Sequence, residues 1–501
     1  MLIPNERTMN EQILKRQLKL DRLRKTGLAY PNDFRRDSLA SHIHTTYDQC
    51  TKEDLEREIV SVKMAGRMMT RRLMGKSGFA HIQDMTGRIQ IYITQHSVPN
   101  DDFSEFRNWD LGDIVGVEGE LFKTKTGELS VRAKKIRLLT KSLRPLPDKF
   151  HGLQDQEHRV RRRYLDLIVN ESSRRLFQMR SYIVTQIRSF LDSRGFMEVE
   201  TPMMHPVLGG AAARPFETHH NAMNMDLYLR IAPEMYLKRL VVGGFENVYE
   251  INRNFRNEGI SSQHNPEFTM LEFYQAYTTY KEMMLLTEEI MRYLAKKIFG
   301  RLQIVYQNIE IDLSKPFFHL SLREAILKFN PTIKSAQIDD VHEAVALSGQ
   351  HEIAIPKHYG LGKIQMELFK KLVEGKLQQP IFITHFPKEV SPLARSSETN
   401  SFVTDRFEFY VGGREIANGF SELNDPEDQA DRFCEQLKSR NSGDLEAMDF
   451  DEDYITALEY GLPPTGGEGI GIDRLVMLFT DRPSVRDVIL FPLLRTSHKR
   501  G

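Results

Sequence analysis

The chain holds two cysteines, Cys50 and Cys434, and one tryptophan among 501 residues, and it carries no net charge. The cysteines stand far apart and outside any C-x-x-C pattern, which excludes a disulfide framework and a cysteine-built zinc site and points to the cytoplasm. No apolar run reaches the roughly 18 residues of a membrane-spanning helix. The opening stretch, MLIPNERTMNEQILKRQLKL, is too charged for the apolar segment of a signal peptide. What is present fits a globular protein of two or three domains: 40% hydrophobic residues and a mean hydropathy of −0.45.

The balanced charge hides an asymmetry. Residues 1–150 hold 27 lysines and arginines against 20 aspartates and glutamates, whereas residues 151–501 hold 42 against 49. A basic first third beside an acidic remainder implies different partners for the two parts. Residues 5–26 read as a charged helix, either a solvated face or a phosphate-binding arm, within an extension over 1–54. Over 55–142, short β-type runs (Ile59–Gly66, Phe79–Asp84, Arg88–Thr94, Ile114–Leu121, Leu129–Leu138) alternate with glycine turns, predicting a five-stranded OB-fold barrel. Its basic residues and aromatics suit unpaired bases. A linker over 143–163, opening Leu143-Arg144-Pro145-Leu146-Pro147-Asp148, precedes an α+β domain over 164–501 with an insertion around 315–395.

Some motifs fail. Met74-Gly75-Lys76-Ser77 resembles the end of a P-loop, but Thr70 stands where the first glycine belongs. Gly467-Glu468-Gly469-Ile470-Gly471 lacks dinucleotide-fold spacing, and His42, His44, His219 and His220 lack further ligands at zinc spacing.

Three segments of the large domain carry chemistry. Arg174–Phe196 is an apolar-periodic helix followed by a strand, Met197–Thr201, running into Pro202; it builds core or a subunit interface. Val248–Phe255 and Phe268–Tyr274 read as strands around a polar loop holding Arg256, Glu258, His264 and Asn265, groups suited to a nucleotide. Period-two geometry puts Phe268, Met270, Glu272 and Tyr274 on one face, where Glu272 needs a resident lysine or arginine, or a cationic ligand. In Arg406–Glu422, a hairpin about Val411-Gly412 sets Glu408 opposite Glu415, a repulsion that a hard divalent cation shared with phosphates removes. Asn418, Phe420 and Glu422 then share one face and Glu415 the other. Finally, Gly469–Arg474 reads as a turn into a helix, Leu475–Thr480. Arg474 there opposes the helix dipole, so an anionic or aromatic ligand, or an ion pair, must hold it.

These segments, in this order, resemble motifs 1, 2 and 3 of the class II aminoacyl-tRNA synthetases. The barrel resembles the anticodon-binding OB-fold of the lysyl, aspartyl and asparaginyl subclass. Met68–Arg72, Thr218–Asn221, Arg230–Glu234, His264–Phe268 and Gly413–Asp425 are similar to the bacterial lysyl-tRNA synthetases. The resemblance implies an antiparallel sheet flanked by helices, a homodimer built on motif 1, and ATP-dependent attachment of L-lysine to tRNA(Lys) with Mg²⁺. By position, Arg256 takes the catalytic role at the ATP α-phosphate, Glu258 and Asn265 hold the adenine region, and Phe268 and Arg474 sandwich the ring. His264 reaches the γ-phosphate, and Glu408 and Glu415 bind the metal. Gly210 and Glu234 take the α-amino group, Asn418 the carboxylate, and Glu272, Tyr274, Phe420 and Glu422 the side chain of lysine. Arg72, Phe79 and Gln90 are candidates for an anticodon base. One departure is Gln263, where the family commonly has arginine beside the γ-phosphate. A paralogue that lysylates a protein, or an RNA-binding scaffold without activity, are the alternatives; the first typically lacks the barrel, and the second usually loses the motif arginines.

Overall fold

The computed structural model describes residues 4–27, 29–147 and 155–495. The chain forms two compact units, residues 1–154 and 155–501. The middle of the expected linker, 148–154, and the tail of the expected catalytic domain, 496–501, lie outside the described residues. The charged extension belongs to the same unit as the barrel, and the second unit starts before residue 164, with a helix inside the stretch read as linker.

The first unit runs α1 (Pro4–Lys25), α2 (Ala40–Tyr47), α3 (Lys52–Arg57), β1 (Ser61–Met74), β2 (Ser77–Gln83), β3 (Arg88–Thr94), α4 (Asn100–Asn108), β4 (Ile114–Lys123) and β5 (Leu129–Thr140). The strands close a barrel in the order β1-β2-β3-β5-β4, antiparallel except for β3 and β5. Alternation explains the closure: Ile89, Ile91 and Ile93 point into the core while Arg88, Gln90 and Tyr92 face outward. The charged helix is pinned to the barrel by two of its own cations. Arg16 donates from Nη1 to the carbonyls of Leu111, Ser142 and Arg144, and Lys19 donates to Asn108 O and pairs with Asp110 at 2.9 Å. Lys15, Arg22, Arg24 and Lys25 remain exposed. Arg16→Ala is expected to cost this unit about 2 kcal/mol, with amide hydrogen exchange accelerating in α1 but not in the strands.

The second unit begins with α5 (Gln156–Arg161), α6 (Arg163–Val169), α7 (Glu171–Asp192), β6 (Met197–Glu198), β7 (Met204–His205), β8 (Phe216–His220), β9 (Met225–Leu229) and α8 (Glu234–Val242). Then come β10 (Asn247–Phe255), β11 (Glu267–Ala276), α9 (Tyr280–Phe299), β12 (Gln303–Tyr306), β13 (Ile309–Asp312), β14 (Phe318–Ser321), α10 (Leu322–Phe329), α11 (Ser335–Asp339), α12 (Val341–Gln350) and α13 (Leu361–Leu372). It ends with β15 (Ile381–Thr384), β16 (Arg406–Val411), β17 (Arg414–Ser421), α14 (Pro426–Asn441), α15 (Glu452–Glu459), β18 (Thr465–Gly471), α16 (Ile472–Phe479) and α17 (Val485–Val488). An eight-stranded sheet in the order β14-β15-β16-β17-β18-β11-β10-β6 carries the site; the pairs β14–β15 and β10–β6 are parallel and the rest antiparallel. Leu271 and Phe273 pack beneath it with Ile183 and Ile187 of α7, Met283 and Leu294 of α9, and Leu475 of α16. The α7 stripe predicted from periodicity therefore does build core, while Tyr182 on its other side, and Met197, Met203 and Met204 after it, are exposed. The insertion helices α10–α13 close over a core of their own, and β14 and β15 extend the main sheet. None of the described helices is long and apolar enough to cross a membrane.

Candidate active site

The free face of this sheet lines a cavity of about 430 Å³. Phe268, Met270, Glu272 and Tyr274 of β11 all face it, as the two-residue period requires. Beside β11 runs β18, and here the turn read at Gly469–Arg474 is corrected: Gly469 to Gly471 is strand, and the helix starts at Ile472. Its glycines keep the floor open. A Cβ on Gly467 would come to 2.0 Å from Glu422 Oε1 and 2.5 Å from the Tyr274 ring.

The register read for the hairpin is also corrected. Glu408 pairs with Asn418, and Glu415 stands opposite Tyr410; the turn is Gly412-Gly413. A bulge leaves Ile416 without a partner between Glu415 and Ala417. The extra residue shifts the alternation, so Glu415 lines the same cavity as Asn418, Phe420 and Glu422 rather than the opposite face.

Arg406 organises the middle of this surface. It donates to Asn418 Oδ1 (3.0 Å), Glu408 Oε1 (2.6 Å) and Val390 O (2.7 Å), and the Tyr410 hydroxyl donates to Glu408 Oε2 (2.6 Å). Burial pushes the Glu408 carboxyl up to about 7; Arg406 opposes this, and the negative charges of Glu415 and Glu374 add to it. Carboxylates that raise one another's affinity for a proton suit a hard divalent cation whose remaining ligands are phosphate oxygens. The donor set of Glu408 and Glu415 fits Mg²⁺.

At one end of the cavity lie cations. Arg256 is half-buried, its guanidinium 5.1 Å from the Phe268 ring centroid and its buried Nε without a hydrogen-bond partner. Arg474 is held by an ion pair, with Glu415 rather than Asp473: Nη1 donates to Glu415 Oε2 (3.0 Å) and to its carbonyl (2.9 Å). Asp473 instead accepts from the Thr269 amide and pairs with Arg180 of α7. His264 approaches Arg474 at 3.4 Å, and burial together with that charge lowers its pKa. Asn265 donates to Glu267 O and accepts from the Leu493 amide. Glu258, Gln263 and Lys370 also line this end.

At the other end lie carboxylates. The Tyr274 hydroxyl donates to Glu272 Oε1 (2.7 Å), and burial, reinforced by the charge of Glu234, pushes Glu272 up to about 8. A resident cation exists: Lys238, fully buried on α8, donates to Glu234 Oε1 (2.5 Å) and forms an ion pair with Glu422. Neither Glu422 oxygen receives a hydrogen bond of good geometry. Gly210, at φ +91°, sits 3.4 Å from the Glu234 Cβ measured from its own ideal Cβ position. Three carboxylates thus share one ammonium.

The fold brings together all fifteen catalytic-domain residues singled out above. Sequence reasoning missed Lys238, Arg406, Tyr410, Glu374 and Lys370. Arg406, Glu408 and Tyr410 alternate along one strand face, a signal that was available; Glu374 and Lys370 come from the insertion, which carried none.

On the barrel, cross-strand register draws two rows. Arg72, Phe79, Tyr92 and Arg132 are successive partners across β1, β2, β3 and β5, as are Thr70, His81, Gln90 and Ser130. The Phe79 and Tyr92 rings lie 4.7 Å apart, Tyr92 and Phe122 5.8 Å, and Arg132 sits 4.8 Å over Phe122. In the second row Gln90 donates to Glu128 and accepts from Ser130, and His81 bridges Thr70 and Glu128. One row offers π faces and guanidinium planes, the other hydrogen-bonding groups. Among the described residues no group of three or more histidine, cysteine, aspartate or glutamate side chains is arranged to hold a metal alone.

Residues 155–495 match the family described as tRNA synthetases class II (D, K and N), and residues 62–139 match the OB-fold nucleic acid binding domain. A lysine–tRNA ligase of Coxiella burnetii (strain RSA 493 / Nine Mile phase I) is 74% identical over 487 residues, 97% of this chain and 98% of that protein. Lysine–tRNA ligases of Legionella pneumophila (strain Lens) and Idiomarina loihiensis are 60% and 59% identical, covering 96% and 97% of this chain and 97% of each relative. With a sheet, a cavity and a barrel of this construction, the chain belongs to the class II tRNA synthetases of the D, K and N group, within the lysine–tRNA ligase family.

Proposed function

We propose that the protein activates L-lysine with ATP and transfers the lysyl group to tRNA(Lys). The observation that carries this reading is the count of groups at one end of the cavity: Glu234, Glu272 and Glu422 against Lys238 leave two carboxylates to ionise, one for each ammonium group of lysine. Such a pocket repels aspartate and leaves half its charge unmet by asparagine. Arg256 and Asn418 lie in the same cavity and suit the substrate carboxylate.

In the first step a lysine carboxylate oxygen attacks the α-phosphorus of ATP in line; the bond to the bridging oxygen breaks, and pyrophosphate leaves. In the second, the terminal 3′-hydroxyl of tRNA attacks the carbonyl of lysyl-adenylate and AMP leaves. Catalysis is positioning and charge stabilisation, with Arg256 at the α-phosphate, His264 at the γ-phosphate, and Phe268, Arg474, Glu258 and Asn265 at the adenosine end. Mg²⁺, held by Glu408 and Glu415, supplies neutralisation of phosphate charge when bound. Both cysteines are unpaired, which supports a cytoplasmic setting. The exposed methionines after α7 and the open edge at β6 support a homodimer, which sedimentation equilibrium checks.

ATP–pyrophosphate exchange with each of the twenty amino acids, with Mg²⁺ present and tRNA absent, tests the proposal. Exchange with lysine alone is the expected result. Exchange with aspartate or asparagine would reassign the pocket, and none at all would favour the inactive RNA-binding scaffold.

For the barrel, Arg72, Phe79 and Gln90 are joined by Tyr92 and Arg132 as the anticodon surface. Stacking contributes about 1–3 kcal/mol per base. Phe79→Ala is therefore expected to raise the KM for tRNA about tenfold in aminoacylation while leaving ATP–pyrophosphate exchange unchanged. A protein-lysylating role is disfavoured by the presence of this barrel.

A further inference from the structure

We propose that Lys238 is a positioning residue for amino-acid recognition: it occupies one carboxylate oxygen of Glu234 and bears on Glu422, so that the groups left free in the pocket match two ammonium ions and no more. This deepens the lysine reading above and rests on it.

Lys238 lies one helical turn after Glu234 on α8, so the pair is set by the helix itself. Glu422 reaches the same ammonium from the end of β17, where the chain leaves the strand toward Leu423. The lysine side chain is wholly buried, with the Phe420 ring 5.3 Å away on one side. The groups bearing on it are Glu234 on its own helix, Glu422 and, through its charge, Glu272 from the sheet, and Tyr454 from α15, whose hydroxyl has no hydrogen-bond partner; Tyr274 bears on the carboxylates. Arg406 bears on Glu234, and Glu250 on Glu272.

An uncompensated set of three buried carboxylates would take up protons rather than hold charge. The resident ammonium keeps part of that charge in place, and its own pKa rises well above the lysine value because the nearby carboxylates overcome burial. Lys238 does not touch ATP's end of the cavity, where Arg256, Arg474 and His264 stand, so its influence should fall on the amino acid alone.

Lys238→Gln keeps a donor and most of the volume; Lys238→Met keeps only the volume. In ATP–pyrophosphate exchange both are expected to raise the KM for lysine at least tenfold at pH 7, with the KM for ATP within twofold of wild type. The KM for lysine should also fall more steeply with rising pH than in the parent, because more of the carboxylates are then protonated at neutral pH. Unchanged lysine KM, or equal losses for lysine and ATP at every pH, would overturn the inference and leave Lys238 a packing residue. If neither variant folds, the parent protein decides. Calorimetry of lysine binding at pH 7 in two buffers of different ionisation enthalpy should give no more than two protons released per lysine, since Lys238 holds at least one carboxylate ionised. Release of three overturns the proposal. Absence of lysine-dependent exchange in the parent protein would instead remove the lysine reading itself, a result distinct from either outcome for Lys238.

Discussion

Glu272→Gln is expected to lower kcat/KM for lysine in ATP–pyrophosphate exchange by roughly a hundredfold or more, the effect of about 3 kcal/mol for a buried charged contact. The glutamine carbonyl still accepts from the Tyr274 hydroxyl, so packing survives and the loss isolates the charge. Retained lysine turnover would remove Glu272 from specificity. A pH signature accompanies it. The folded-state pKa of about 8 lies above the ordinary glutamate value of 4.5, so the stability this group contributes is complete below the unfolded pKa and is lost as pH rises through about 8. Melting curves without lysine should therefore shift downward across pH 5–9, and the variant should lack the share due to Glu272. Lysine affinity runs the other way, strengthening as the competing proton leaves.

Gly467→Ala is expected to be nearly as damaging, although alanine adds only a methyl group. The new carbon would lie 2.0 Å from Glu422 Oε1 and 2.5 Å from the Tyr274 ring. Neither neighbour is loose: Glu422 is paired with Lys238, and Tyr274 is tied through its hydroxyl to Glu272. The collision should move both, costing about 1–3 kcal/mol of stability and at least a hundredfold in kcat/KM for lysine. Gly469→Ala is the control, since its methyl would meet only the flexible Met270 thioether, at 3.2 Å. Exchange kinetics and melting curves on the two variants should separate them clearly; equal behaviour would show that the floor of the pocket adjusts.

These effects trace to how local the relevant signals are. The barrel was readable because Ile89, Ile91 and Ile93 alternate with polar neighbours and the turns carry glycine. The face of β11 was readable for the same reason. The hairpin was not, because strict alternation cannot reveal a bulge: Ile416 is an ordinary strand residue, and its lack of a partner is visible only once β16 and β17 are paired. The motif-3 glycines suggested a turn because a strand is rarely so poor in side chains, and their purpose depends on Glu422 and Tyr274 arriving from other strands. Lys238 had no signal of function, since a lysine four residues after a glutamate on a helix is ordinarily a surface pair. Glu374 and Lys370 reach the cavity through the insertion, a contact set by tertiary packing alone.

Irregular pairing is ordinarily harmless at the ends of strands and costly within them, but at β17 the bulge itself serves the site. Pairing Ile416 regularly with Tyr410 would relax a local distortion of the ladder and leave the chain itself unaltered. Every acid and base of the site would still be encoded, in the same order. Yet Glu415 would turn from the cavity toward the helices beneath the sheet, taking with it the anchor of Arg474 and one of the two carboxylates suited to the cation. A tidier strand would make a poorer enzyme, and an alignment that places a gap one residue away from the true one would misassign the acid on which the phosphate end depends.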